Sequence, residues 1–262
     1  MKASDFHVPV ACAPRLRPEG PYGLLPRALP IREVCRENYR ILTFVLDDDL
    51  PEARPGQFVM VWLPGHKEAP FSLAYHRPIA LTVAGVGPLT KAMHRLGPGD
   101  VLWLRGPYGH PFTPESGSQH PLLVGGGYGV APLAFLAEHL RAVGQQPVAF
   151  IGGRTAEDII GVARLEALGV PVFVTTEDGS KGEAGLVTHP VSRFLAEGRG
   201  DALYGVGPHG MLRALARLAH THRVPAQLSW EAYMGCAMGL CGMCEHDGVL
   251  LCVEGPVRRV IP

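Results

Sequence analysis

Short apolar runs interrupted by glycine and proline make up the chain from residue 31 to residue 112. The segment 32–47 predicts two strands that meet at Glu37 and Asn38, and only 89–96 has the pattern of a helix. The other predicted strands are 56–63, 71–74, 79–84 and 101–104. Many short strands joined by Gly and Pro turns predict a small antiparallel β-barrel.

The pattern changes at His120, where apolar runs begin to alternate with longer helical segments. The predicted strands are 121–124, 148–151, 170–175 and 202–206, and the predicted helices are 130–144, 156–168, 185–197 and 211–220. Strands that alternate with helices are typical of a parallel sheet covered on both faces. We therefore predict an α+β multidomain protein with an antiparallel β-barrel domain, a doubly wound α/β nucleotide domain and a small C-terminal cysteine loop domain.

The first 30 residues are rich in proline, which excludes a helix there. The segment is either a disordered tail or an extended arm along another surface, and the apolar residues Leu24, Leu25 and Leu29 favour the arm. The predicted domains are 1–30 for the arm, 31–112 for the barrel, 113–222 for the nucleotide domain and 223–262 for the cysteine loop domain.

Composition narrows the range of functions. Of the 262 residues, 47% are hydrophobic and 18% are charged, which suits two compact globular domains and a small appendage. Lys plus Arg and Asp plus Glu are balanced at 24 each, so no charge excess indicates nucleic acid or a membrane surface as a partner. No signal peptide pattern and no bilayer-spanning apolar run is present. We expect a cytoplasmic protein, because cysteines that serve as metal ligands fit a reducing compartment.

Four of the six cysteines lie within 234–257 and have the spacing C-x4-C-x2-C-x7-C. They are Cys236, Cys241, Cys244 and Cys252. The first three match the run of plant-type 2Fe–2S ferredoxins, and the intervening glycines allow the tight turns that four converging thiolates require. A structural zinc site is an alternative, although such sites usually have two separated C-x2-C pairs and only one is present here. Disulfides are a second alternative, but nothing else in the chain indicates secretion.

Two glycine-rich loops follow predicted strands of the α/β domain. Their candidate ligand-binding residues are Gly125, Gly126 and Gly127 in the first loop, and Gly207, Pro208 and Met211 in the second. Glycine between a strand and a helix lets the backbone approach a pyrophosphate, and the helix N-terminus favours its charge. Both loops flank one crevice in a doubly wound sheet, which predicts a dinucleotide site. The alternative is a glycine-rich turn that is required only for packing.

Other polar residues give no catalytic pattern. Five histidines are scattered without metal-ligand spacing, and we expect them to be surface or turn residues. They are His66, His76, His94, His209 and His246. No carboxylate pair and no nucleophile triad is visible, so no catalytic acid, base or nucleophile is predicted.

The motifs of all three regions, taken together, resemble the ferredoxin–NADP reductase superfamily over residues 31–257. Within it the chain is most similar to the electron-transfer subunits of NAD-dependent dihydroorotate dehydrogenases. The motifs are Pro70-Phe71-Ser72, Gly106-Pro107-Tyr108-Gly109, the junctions 125–132 and 176–188, Gly207-Pro208 with Met211-Leu212, and Ser229-Trp230-Glu231 before the cysteines.

The resemblance implies that the barrel binds FAD. The implied FAD contacts are Ala69, Pro70, Phe71, Ser72, Thr82, Val83, Ala84, Leu89 and Thr90. The chain departs from the family at Ala69, where many members have an arginine that pairs with the pyrophosphate. Phosphate binding then depends on backbone amides, on the Thr90 hydroxyl, or on another cation such as Lys67 or Arg77.

The resemblance also implies a function in pyrimidine biosynthesis. An FMN-containing dihydroorotate dehydrogenase catalytic subunit is the implied partner, in a heterotetramer, and electrons reach NAD through a 2Fe–2S cluster and FAD on this chain. The family favours NAD over NADP, although Arg154 follows the second strand, where a 2′-phosphate would lie. One alternative is a flavin/NAD(P) subunit of a cytoplasmic hydrogenase or sulfite reductase complex, whose cysteine loop is equally short. Another is a zinc-binding scaffold without redox activity.

Overall fold

The computed structural model describes residues 25–260, so most of the predicted N-terminal arm lies outside the described residues. Six strands of the described chain close into a barrel in the order β1-β2-β5-β4-β3-β6, with antiparallel pairing throughout. The strands are β1 Arg27–Arg36, β2 Ile41–Leu46, β3 Phe58–Trp62, β4 Ala69–His76, β5 Ile79–Ala84 and β6 Val101–Tyr108, and helix α1 is Pro88–Met93. The predicted antiparallel barrel is confirmed.

Strand alternation explains why this segment closes into a barrel. Apolar residues at every second position, such as Val59 and Val61, point inward and form one buried cluster with Phe44, Leu73 and Leu81. Each strand therefore buries one face inside the barrel and presents the other face to the outside.

The first strand begins within the segment that the sequence assigns to the arm. Arg27 pairs with Leu104 and Pro30 with Val101, so 27–30 forms the start of β1. The apolar side chains explain this pairing, because Leu29 and Ile31 are both buried in the barrel core. Residues 27–30 are extended, as expected, but they belong to the barrel rather than to a separate arm. The domain boundaries stay predictions.

A seven-stranded sheet follows in the described part of the chain, in the order β10-β9-β8-β7-β11-β12-β15. All neighbouring pairs are parallel except β12 and β15. The strands are β7 Pro121–Gly126, β8 Val148–Gly153, β9 Val172–Thr176, β10 Glu183–Ala184, β11 Ala202–Val206, β12 Ala226–Ser229 and β15 Val257–Val260. The helices are α2 Leu133–Ala142, α3 Val162–Ala167, α4 Thr188–Ala196 and α5 His209–His222.

Helices cover both faces of this sheet, which confirms the predicted doubly wound domain. Leu123 and Ile151 point to one face and pack in a cluster that includes α2 and α3 residues. Leu122 and Phe150 point to the other face and pack with residues of α4 and α5. Successive strand residues thus fill two separate cores, as the near-continuous apolar runs predict.

The cysteines lie in residues 230–256, which we call the cysteine segment. It leaves the sheet at the end of β12 and returns at β15, the neighbouring strand. Its regular elements are β13 Glu245–His246, β14 Val249–Leu250 and helix α6 Leu251–Glu254. The segment shares its apolar cluster with barrel strand β3, because Met234 and Leu251 pack with Phe58 and Met60. Packing against β3 therefore places the cysteines beside the barrel.

No helix in residues 25–260 is both long and apolar enough to cross a membrane.

Candidate cofactor and metal sites

The two predicted nucleotide loops lie side by side at one edge of the sheet. Strands β7 and β11 are parallel neighbours, with Gly125 paired to Val206, so their carboxyl ends meet. A Cβ atom on Gly126 would lie 2.9 Å from both Pro208 Cδ and Met211 Sδ. Loops after β7 and β11 flank the position where the strand order reverses, which is where doubly wound sheets bind ligands.

The glycines of these loops fall into two groups. Gly125, Gly126 and Gly207 leave no room for a side chain, since an added Cβ would approach neighbouring atoms to 3.0 Å or less. Close packing alone therefore accounts for them. Gly127 has a φ of +57°, and nothing lies within 4 Å of an added Cβ there or at Gly210. These two open positions leave backbone accessible to a ligand, and they are the loop glycines that packing does not explain.

Tyr128 and Glu231 meet beside this open backbone. The Tyr128 hydroxyl donates to Glu231 Oε2 at 3.2 Å, and His209 Nε2 lies 3.0 Å from the Glu231 carbonyl oxygen. Burial raises the pKa of both the Glu231 carboxyl and the Tyr128 hydroxyl, although each side chain remains open to solvent. The two side chains therefore connect the loop after β7 to the start of the cysteine segment. Sequence reasoning did not select either residue; their position directly after β7 and β12 was the available signal.

The predicted flavin strand β4 alternates between the barrel interior and its outer surface. Ala69 and Phe71 pack against the barrel core, whereas Ser72 is exposed. Leu73 pairs with Leu81, and both side chains are buried in the barrel core. The adjacent residues Ser72 and Thr82 therefore face the outside of the barrel. Thr82 also lines a cavity of about 210 Å³ between the barrel and the nucleotide domain. The structure thus places Ser72 and Thr82 on the outer face of the barrel and turns the Ala69 side chain towards the barrel core.

The turn before α1 uses the Thr90 hydroxyl for its own hydrogen bonds. Thr90 Oγ1 accepts from the backbone N–H groups of Val86 at 3.0 Å and Gly87 at 2.8 Å, and it donates to the Gly87 carbonyl at 3.1 Å. Val83 and Leu89 are buried in the barrel core, so only their backbone can face a ligand. Thr90 therefore shapes the turn, and a phosphate would depend on other donors.

The two candidate cations lie at opposite ends of the β4–β5 hairpin. Lys67 precedes β4, at the end where β5 finishes and α1 begins. Arg77 lies in the tight turn between β4 and β5, at the far end. Lys67 and Arg77 both stay candidates for the replacement of the family arginine at Ala69.

The four predicted ligand cysteines form two close pairs. Cys236 and Cys241 are neighbours, and Cys236 Sγ accepts backbone N–H groups from Met238 at 3.4 Å and Leu240 at 3.3 Å. These backbone donors, followed by the Cys241 contact, lower the pKa of Cys236 to about 6. The result is a thiol that readily becomes the thiolate that metals bind.

The second pair is buried beneath the first. Cys252 N–H donates to Cys244 Sγ at 3.4 Å, and the two thiols are in contact. Burial, with the neighbouring Cys244, raises the pKa of Cys252 to about 11. No three His, Cys, Asp or Glu side chains of the described chain are grouped as around a single metal ion. Two thiol pairs fit a two-iron cluster, whose four cysteines are shared between two irons, better than a tetrahedral zinc site.

Two of the scattered histidines join the nucleotide loops to the cysteine segment. The rings of His209 and His246 have centroids 5.3 Å apart, and Trp230 lies 5.4 Å from His209 and 4.9 Å from His246. His76 stacks on Phe135 across the domain interface, at 4.5 Å. These histidines are packing residues rather than simple surface residues, and the described chain gives them no metal-ligand partners.

Comparisons with known proteins agree with this arrangement. No protein-family model matches the chain. The probable dihydroorotate dehydrogenase B (NAD(+)) electron transfer subunit of Methanothermobacter thermautotrophicus is 40% identical over 240 residues, covering 89% of this chain and 88% of the relative. The corresponding probable subunit of Methanocaldococcus jannaschii is 36% identical and covers 87% of each chain.

Solved structures give the same picture of the fold. A chain of the NADH-dependent reduced ferredoxin–NADP oxidoreductase superposes with a TM-score of 0.81 at 28% identity, covering 89% of both chains. Phthalate dioxygenase reductase, at 17% identity, superposes with a TM-score of 0.60 over 74% of this chain and 64% of its own. The second likeness supports the fold alone.

Proposed function

Because the chain belongs to the family of dihydroorotate dehydrogenase B (NAD(+)) electron transfer subunits, we propose that it passes electrons from an FMN-containing dihydroorotate dehydrogenase catalytic subunit to NAD in pyrimidine biosynthesis. One structural observation carries this proposal. The cysteine segment packs on β3, next to β4 with its flavin-type motif, and it continues directly from the sheet edge that holds the nucleotide loops. A converter of electron pairs into single electrons requires these three sites to be adjacent.

The barrel residues would hold FAD, which when bound exchanges two electrons with a nicotinamide and one at a time with an iron–sulfur cluster. Ser72 offers an exposed hydroxyl group on the outer surface of the barrel, and Thr82, whose hydroxyl is hydrogen-bonded to Thr43 Oγ1 at 2.8 Å, lies on the same face. Backbone N–H groups in the first turn of α1, after Pro88, and the Lys67 ammonium group would meet the pyrophosphate. The protein's task is to orient rings and exclude water, so the lack of a catalytic acid, base or nucleophile among the predicted site residues agrees with the proposal.

The cysteine pairs would hold a 2Fe–2S cluster. Cys236 with Cys241 and Cys244 with Cys252 provide two ligands for each iron. Backbone N–H groups directed at Cys236 stabilise negative charge on sulfur, which is the usual way in which a protein adjusts such a site.

The crevice at the sheet edge would bind NAD. Open backbone at Gly127 and Gly210 allows a pyrophosphate to approach the start of α5. Tyr128 and Glu231 line the same crevice on the side of the cysteine segment. A nicotinamide ring that followed this path would lie between the nucleotide loops and the barrel.

The exposed apolar surface around the cysteines would contact the catalytic subunit. Leu240 is 81% exposed and Met243 is 57% exposed, and Met238 and Val253 lie in the same segment. Methionine-rich apolar surface is adaptable and is typical of binding surfaces. We infer that this surface is covered in a heterotetramer, which places the cluster ligands at the subunit boundary.

Coexpression with a dihydroorotate dehydrogenase catalytic subunit tests the proposal. We expect a stable complex with one FAD and two irons per copy of this chain, acid-labile sulfide, and dihydroorotate-dependent reduction of NAD. Stoichiometric zinc without flavin absorbance would contradict the proposal. Copurification of a nickel or sirohaem protein in place of the dehydrogenase would assign the chain to a hydrogenase or sulfite reductase complex instead.

A further inference from the structure

Arg105 on β6 is the one buried lysine or arginine among residues 25–260, with 7% of its surface exposed. Its guanidinium group donates to both carboxylate oxygens of Glu68, from Nε to Oε1 at 2.7 Å and from Nη2 to Oε2 at 2.6 Å. It also donates from Nη1 to the Tyr108 hydroxyl at 3.0 Å. A fourth bond runs from Nη2 to the backbone carbonyl of Cys236 at 3.0 Å. Four of the five guanidinium N–H donors are therefore engaged.

These contacts join two parts of the chain that are far apart in sequence. Glu68 immediately precedes β4, the strand with the flavin-type motif. Cys236 is the first of the four predicted cluster ligands. A single guanidinium group thus links the start of the flavin strand to the backbone of a cluster ligand. Lysine could not reproduce this arrangement, because only the planar guanidinium fork forms a bidentate pair while donating in other directions.

The orientation of the ion pair matters as well as its presence. A buried charge requires a partner, and Glu68 provides it. The carboxylate accepts on the Nε side, and the remaining Nη2 donor faces Cys236, so the positive end of the pair points at the cysteine. A salt bridge that served only barrel stability would not need a donor directed at the cysteine segment.

We propose that Arg105 is a positioning residue for the cluster site, which fixes Cys236 against the flavin strand and holds positive charge beside the cluster. The proposal rests on the proposed function only in that the cysteines bind a redox cluster. Positive charge near a cluster stabilises its reduced, more negative form and so raises the reduction potential. Glu68 limits this effect, because it partly neutralises the guanidinium charge.

Two variants with opposite expected effects test the proposal. Arg105→Met removes the charge and the bond to Cys236, so the cluster potential of the purified chain should fall and thermolysin should cleave within 230–256 several-fold faster. Glu68→Gln keeps Arg105 and removes its counter-charge, so the potential should rise. If the ion pair had a purely structural role, both variants would shift the cluster potential in the same direction. Arg105→Lys, which keeps the charge, should retain most of the wild-type potential.

The matched control is Arg193→Met, which breaks an exposed Arg–Glu pair far from the cysteines. It should leave both the potential and the cleavage rate unchanged. The proposal is overturned if Arg105→Met matches this control in both measurements, or if both the Arg105 and Glu68 variants lower the potential. Cleavage can also be measured on iron-free chain, so absence of a cluster in the wild type would contradict the proposed function while the positioning role is still tested.

Discussion

The nucleotide sheet and the cysteine segment are consecutive in the chain, yet different interactions hold them. The sheet buries apolar side chains on both faces, in two separate clusters under helices. The cysteine segment has three short elements, exposes Leu240 and Met243, and shares its apolar contacts with the barrel. Burial of apolar surface is sufficient to specify the sheet. The segment depends instead on its ligands and on its attachment to the barrel. A substitution should therefore be able to impair one region and leave the other intact.

The largest expected effect separates the two regions at Cys244. Cys244→Ser removes a buried cysteine that we propose as a cluster ligand, and partner-linked electron transfer should fall by roughly 100-fold or more, since even outer-shell changes at metal sites cost about 10–100-fold. NADH-dependent reduction of a small artificial acceptor should continue, because barrel and sheet have their own cores. Both activities are measured on one preparation. Cys35→Ser, at a half-buried cysteine outside the segment, is the control and should retain both.

If partner-linked turnover of the Cys244 variant stays at the wild-type rate while the cluster is spectroscopically absent, the cysteine segment is structural. Loss of both activities together would show that the sheet depends on the segment, and the comparison between the regions would be wrong.

A substitution in the crevice tests the sheet side of the comparison. Gly210 lies in the first turn of α5 and has nothing within 4 Å of an added Cβ, so alanine should fit and slightly favour the helix. Gly210→Ala should nevertheless raise the KM for NADH roughly tenfold, because losing a charge-assisted bond to the pyrophosphate costs about 1.5–3 kcal/mol. The thermal midpoint and iron content should not fall.

Gly97→Ala is the matched control for this experiment, because it is equally open and lies in a barrel loop. An unchanged KM in the Gly210 variant would remove the start of α5 from the nucleotide site.

A smaller effect is expected from a buried hydroxyl group in the sheet. The Tyr204 hydroxyl donates to the Thr113 carbonyl at 3.0 Å and accepts from Glu115 N–H at 2.9 Å. Tyr204→Phe leaves both backbone groups without this partner and should lower the free energy of unfolding by about 1–3 kcal/mol, measured by urea denaturation. The cluster signal of the folded variant should be unchanged. Tyr233→Phe, at an exposed tyrosine, should stay within about 0.5 kcal/mol of the wild type.

The smallest effect is a pH dependence from the same tyrosine. Burial raises the pKa of Tyr204 to about 12 from its usual value of 10.0. Between these values the folded state keeps a proton that the unfolded state releases, so stability falls as pH rises, by at most about 1.4 kcal/mol per pH unit. Tyr204→Phe should lack this contribution. If the free energy of unfolding has the same dependence on pH above pH 10 in both proteins, the pKa of the Tyr204 phenol is not raised by folding.

Apolar patterning predicted the barrel, the doubly wound sheet and the positions of most strands. It failed where single residues determine an element boundary. The helix predicted from residue 156 begins only at Val162, because Gly161 adopts a φ of +75° that helices do not allow. The helix predicted from residue 185 likewise begins at Thr188, after Gly185 at a φ of +119°.

The candidate site was predictable only as far as its motifs. Spacing selected the four cysteines as candidate ligands, whereas their division into two pairs depends on the fold of the segment. Arg105 carries no local signal, because Cys236 lies more than 100 residues away in sequence. Glu231 lies in a motif shortly after β12, but its partner Tyr128 is also more than 100 residues away. A residue whose role depends on a distant partner cannot be selected from one sequence.

The return of the cysteine segment to the strand beside its starting point affects how easily it binds metal. Ser229 pairs with Val257, and Trp230 N–H donates to the Pro256 carbonyl at 2.9 Å, so the two ends of the segment are already joined. The entropic cost of bringing the ends of a loop together is then met when the sheet folds, before any iron arrives. Ligand binding has only to order a closed loop. The same closure means that the length of the segment can change between its two fixed ends without opening the sheet.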